Sequence, residues 1–69
     1  MPISMALAGQ AYTVRRVSGA SGLRAHLQAL GFSEGAPVEL VSNRAGNVIL
    51  RVRDARIAIN AEEARHIYV

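Results

Sequence analysis

The chain lacks cysteine, lysine and tryptophan throughout its 69 residues. Without cysteine there is no disulfide framework, no thiolate metal site and no thiol nucleophile. That absence also fits a reducing cytoplasm. No apolar run approaches the roughly 20 residues needed to cross a bilayer. Met1 to Ala8 has neither the basic start nor the long apolar stretch of a signal peptide. The expectation is a soluble cytoplasmic chain with no direct membrane insertion, peripheral to a membrane only through a partner. Aromatic residues are few, and Tyr12, Phe32 and Tyr68 are scattered. They build no stacking platform of the kind single-stranded nucleic acid uses. Repeats, linkers and low-complexity tracts are also missing, so residues 1–69 read as a single domain.

Such a domain lies near the lower size limit for independent folding. A chain of about 60 residues buries only roughly 60% of its unfolded surface, so each core contact counts. Hydrophobic residues make up 51% of the chain and are spread along all of it, which argues against disorder. The net charge is +3, and every basic side chain other than the two histidines is an arginine. This modest excess is compatible with an acidic partner surface or nucleic acid.

The most informative stretch is Leu23 to Gly35. Leu23, Leu27 and Leu30 fall at i, i+4 and i+7 and share one helical face. Ser21 is placed to cap that helix, and Gly31 stands where a left-handed residue ends one. The helix is expected over about 22–30, after a small-residue loop Ser18–Gly22. Strand patterns occupy most of the rest. Gln10–Val17 alternates Tyr12 and Val14 against Thr13 and Arg15. A second strand opens at Pro37 and runs through Val38–Val41, and a glycine-containing hairpin follows at Asn43–Asn47. Val48, Leu50 and Val52 then oppose Ile49, Arg51 and Arg53. Asp54-Ala55 turns the chain into Arg56–Ile59, where Ile57 and Ile59 share a face. Asn60 with Glu63 forms a capping-box pattern for one helical turn, before a last strand, His66–Val69. Leu7 is the expected core anchor of the irregular lead-in. Five short strands and one helix imply a mainly β fold, a small and partly open barrel.

Catalytic chemistry finds little support. Ser4, Ser18, Ser21 and Ser33 fall in loops or caps, with no histidine–carboxylate pairing suggested by their spacing. The glycines at 19 and 22 do not make a phosphate loop. His26 flanks the apolar stripe of the helix, and His66 opens the last strand behind Glu62 and Glu63. No metal-ligand spacing joins them, so no cofactor and at most weak transition-metal binding are expected. Arg51, Arg53 and Arg56 surround one turn, with Arg15 and Arg16 expected on a neighbouring strand. A solvated strand face that guards an edge explains them better than a phosphate-binding face. Phe32, between two glycines, is expected to seal the helix end against the barrel, or to join a docking patch if exposed.

The run Leu23-Arg24-x-His26-Leu27-x-x-Leu30-Gly31-Phe32-x-x-Gly35 resembles the signature helix of FeoA, the small ferrous-iron transport protein A of bacteria. Val48–Arg53, Arg56–Ile59 and Ala64-x-x-Ile67-Tyr68-Val69 are similar to the closing strands of that family, and Leu7-Ala8-Gly9-Gln10 to its lead-in. Ala8 and Glu34 stand where proline is common, and Asp54 where a turn glycine is usual. Aspartate tolerates the left-handed conformation there.

The resemblance implies a barrel of the Src-homology-3 type and a non-enzymatic role in ferrous-iron uptake. The implied partner is the cytosolic G-domain region of FeoB, a GTP-hydrolysing iron transporter. It also implies kinship with the C-terminal domain of DtxR-type repressors, a regulatory interaction module. Arg24, His26, Phe32 and Glu34, on the helix flank and its following loop, are the expected partner contacts. The alternative is a small basic nucleic-acid-binding barrel using Arg15, Arg16, Arg51, Arg53 and Arg56. Open strand edges would also allow pairing with a second copy.

Overall fold

A computed structural model describes all residues, 1–69. A 3₁₀ turn at Ile3–Met5 precedes β1 (Ala11–Thr13), β2 (Arg16–Val17), α1 (Ser21–Ala29), β3 (Pro37–Arg44), β4 (Asn47–Val52), β5 (Ala55–Asn60), α2 (Ala61–Ala64) and β6 (Ile67–Tyr68). One antiparallel sheet has the order β1-β3-β4-β5, and β2 pairs with β6 in a second. The fold is mainly β with one principal helix, as the alternation implies. There are six strands, however, rather than five.

The meander β3–β4–β5 carries the largest single share of the core. Register sets Val38 opposite Val52 and Leu40 opposite Leu50, and then Leu50 opposite Ile57 and Val48 opposite Ile59. Because side chains alternate across a strand, these fall on one face, and all but the half-buried Ile57 are buried. A register shift between Leu40 and Ser42 bends and twists β3, which helps a small sheet curl over its core.

Both hairpin turns have two central residues. Ala45 and Gly46 have φ of 47° and 81°, the paired positive values of a type I′ turn. In the second turn Arg53 takes the left-handed conformation, with φ of 57°. Asp54, the residue expected to adopt that conformation, does not.

Helix α1 buries Leu27 completely and packs Leu23 and Leu30 against the core, as the i, i+4, i+7 spacing requires. Its end is a full Schellman closure: Gly31 N–H donates to the Gln28 carbonyl at 3.0 Å, and Phe32 N–H to Leu27 at 3.1 Å. Gly31 has φ of 110°, and a Cβ there would lie 2.9 Å from Val52 Cγ1, so geometry and space both demand glycine. Phe32, the residue after it, is wholly buried. The helix start differs from expectation. Ala20 is the N-cap and makes no side-chain hydrogen bond, while Ser21 is already helical.

The first expected strand, Gln10–Val17, is divided because the chain changes partner at Val14. Val14 N–H donates to Ala36 at 2.9 Å, next to β3, whereas Arg15 N–H donates to Tyr68 at 2.7 Å. Leu7 is not a core anchor and stands 70% exposed. The 3₁₀ turn explains this. Residues three apart eclipse one another at three residues per turn, so Ile3 and Ala6 point inward together and Leu7 is rotated out. Leu7 N–H is held at 3.0 Å by Tyr12 Oη. The capping box at α2 is present as expected. Asn60 Oδ1 accepts from Glu63 N–H at 2.7 Å, and Glu63 Oε1 accepts from Asn60 N–H at 3.0 Å.

Candidate functional site

The four residues expected to meet a partner separate into three environments. Arg24 and His26 are exposed on α1, and Glu34 is exposed in the turn beyond it. Phe32 has no exposed surface. It is core, packed where the Schellman closure delivers it, and no docking patch forms around it. Residues two apart on an α-helix point roughly 200° from one another. Arg24 and His26 therefore flank opposite sides of the buried leucine stripe and share no surface. Neither Arg24 nor Glu34 has an ion-pair partner.

His26 joins a constellation that linear spacing did not reveal. Its Nε2 lies 3.3 Å from Glu63 Oε2, so Glu63 bridges two helices: one oxygen closes the α2 cap and the other faces α1. Glu62 Oε2 accepts from Arg65 at 2.7 Å, and its Oε1 lies 3.8 Å from His66 Nε2. On the other side of that ring, His66 Nδ1 is 3.1 Å from Ser18 Oγ. Fold proximity across 48 positions makes this contact, which the spacing of the serines did not suggest. Glu62 is beyond hydrogen-bond range of the ring, so the three do not form a proton relay. The Ser18–His66 bond instead fastens the β2 end to the start of β6. Gly19 makes room for it, since a Cβ there would meet His66 Nδ1 at 3.2 Å and Leu23 Cδ2 at 3.1 Å. The one sequence signal for this cluster was the i, i+4 spacing of Glu62 and His66. Nothing local foretold His26 against Glu63. No group of three or more histidine, aspartate or glutamate side chains is placed to hold a metal ion.

The arginines are also divided. Arg15 and Arg16 belong to the β2–β6 side rather than to a strand beside Arg51. There they line a cleft of about 270 Å³ with Met1, Tyr68 and Val69, and the Arg16 guanidinium stacks 4.1 Å from the Tyr68 ring centroid. Arg51 and Arg53 instead border a shallower cleft of about 260 Å³ on the outer face of the four-stranded sheet. There Arg51 Nη1 donates to Glu39 Oε1 at 2.8 Å. No single basic face collects all five, and one of them is already neutralised. Two apolar side chains missed as surface features are Met5 and Leu7, 71% and 70% exposed.

A model of the FeoA domain matches residues 1–69, the whole chain. This chain belongs to the FeoA domain family. No curated protein sequence matches it. Among solved structures, it is similar to an iron uptake regulatory protein, FeoA, at 26% identity and a TM-score of 0.87, over 96% of this chain and 88% of that one. It also resembles Stenotrophomonas maltophilia FeoA complexed with zinc, described as a procaryotic SH3 domain protein, at 23% identity and TM-score 0.85, over 99% and 87% of the two chains. A manganese-dependent transcriptional repressor shares the fold at 19% identity and TM-score 0.91, with all of this chain lying over 40% of that one. The barrel is therefore SH3-like, and family membership supports a role in ferrous-iron transport. No helix of the chain is long and apolar enough to cross a membrane.

Proposed function

We propose that this FeoA-domain chain is a non-enzymatic accessory of bacterial ferrous-iron uptake, acting from the cytoplasm on the G-domain region of a FeoB-type transporter. The observation that carries this reading is the family match over the full 69 residues. The repressor likeness supports an interaction module, since a barrel of this shape there forms part of a longer regulatory chain. The contact residues are the exposed members of the expected set: Arg24 and Glu34, whose charges are unpaired, and His26 on the opposite flank beside Glu63. Phe32 supports this surface from behind by fixing the end of α1 and has no direct contact.

The test is a pull-down of the purified protein against the transporter's cytosolic domain, with and without a GTP analogue. Capture that survives moderate salt is expected, and Arg24→Glu should weaken it at least tenfold while the chain stays folded. Undiminished capture by Arg24→Glu, His26→Ala and Glu34→Arg would remove this contact set. Absence of capture in either nucleotide state would overturn the transporter reading.

A further inference from the structure

The last strand of the four-stranded sheet has an open side. β5 pairs only with β4, and no other backbone hydrogen bond reaches Ala55–Asn60. In a hairpin with a two-residue loop, the residues flanking the loop, here Val52 and Ala55, form a hydrogen-bonded pair. Alternation then turns the N–H and C=O of Arg56 and Ala58 away from β4, toward solvent. The N–H of Asn60, next in the series, is already taken by Glu63.

Charge on this edge is unbalanced in a directional way. Register places Ala11, Glu39, Arg51 and Arg56 in one row across β1, β3, β4 and β5. Like charges directly opposite one another are destabilising, and Arg51 faces Arg56. Arg51 is compensated by Glu39 at 2.8 Å, but Arg56, at the end of the row, has no acidic partner. On the inner face of the same strand Ile57 is only half-buried.

We propose that β5 accepts an added strand from a partner: an extended segment alternating acidic and apolar residues. Its backbone would pair with Arg56 and Ala58. Its acidic side chains would extend the row Glu39–Arg51–Arg56, and its apolar ones would cover Ile57. Strand addition of this kind draws affinity from main-chain bonds and specificity from alternate side chains. A second copy of β5 is a poor occupant, because it would bring further arginine to a row already in excess. The inference stands apart from the helix-flank contacts and does not depend on the transporter reading.

The test is amide NMR of the labelled chain titrated with acetyl-Glu-Val-Glu-Val-Glu-amide and, separately, with its lysine counterpart. The glutamate peptide should shift the amides of Arg56–Ala58 and their β4 neighbours, less so as salt rises, and the lysine peptide should not. Arg56→Glu should invert that preference. Ala58→Pro should abolish the response to the glutamate peptide by removing an outward N–H, at a position where an edge strand tolerates proline; dispersed signals from Val14, Leu27 and Phe32 would report that each variant is folded. No shift, or equal shifts from both peptides, would overturn the proposal. Concentration-dependent broadening at β5 without peptide would also overturn it, in favour of self-pairing.

Discussion

The meander β3–β4–β5 and the first seventeen residues supply the same core by opposite means. In the meander every buried side chain falls on a period of two, so Val48, Leu50 and Val52 enter the core because their neighbours cannot. The N-terminal segment contributes Ile3, Ala6 and Val14, which share no single period. Ile3 and Ala6 are set by one 3₁₀ turn, and Val14 by the place where the chain leaves one sheet for the other. Periodic burial is written locally. Aperiodic burial is decided by where the rest of the protein stands.

The sharpest way to break this comparison is to empty the aperiodic side. Ile3→Ala should cost about 2–5 kcal/mol, a large share of the roughly 3–10 kcal/mol that such a chain has in total. Leu7→Ala should cost less than about 0.5 kcal/mol. Chemical denaturation of the two variants checks the contrast, and equal losses would return Leu7 to the core. Next in size is Gly31→Ala, expected to cost about 2–4 kcal/mol. The left-handed penalty contributes roughly 1–2 kcal/mol, and the contact with Val52 adds overpacking of similar scale; a melting curve reads the sum. Asn60→Ala should remove about 1 kcal/mol by opening the cap of α2, whereas Ser21→Ala should leave stability nearly unchanged because Ser21 caps nothing. The smallest effect has the other sign. Ala45→Asn should raise stability by roughly 0.5–1 kcal/mol, since asparagine accepts the positive φ of a type I′ turn more readily than alanine.

The sequence disclosed the barrel's strands, its helix, the glycine stop and the α2 cap, because each depends on residues within a few positions of one another. It did not disclose the division of the first strand, which depends on Ala36 and Tyr68, or the outward turn of Leu7. At the surface, the exposure of Arg24, His26 and Glu34 was legible from their polarity. Their separation was legible too, through the two-residue offset of Arg24 and His26, but only once the helix phase was taken into account. Phe32 was legible as the seal of the helix end, and its complete burial excludes the docking patch. The meeting of His26 with Glu63, and of Ser18 with His66, rests on tertiary placement alone.

The β2–β6 pair also bears on the order in which the molecule assembles. Arg16 and Tyr68 face each other across most of the chain, while each hairpin of the meander closes over two residues. Bringing distant segments together costs more loop entropy than closing a short turn, and nonlocal pairing slows folding. The meander is therefore expected to form first and the β2–β6 clasp last. In native-state hydrogen exchange the amides of Arg15 and Ser18, bonded to Tyr68 and His66, should open well before those of Leu50 and Val52, giving the barrel a seam that unzips while its sheet stays whole.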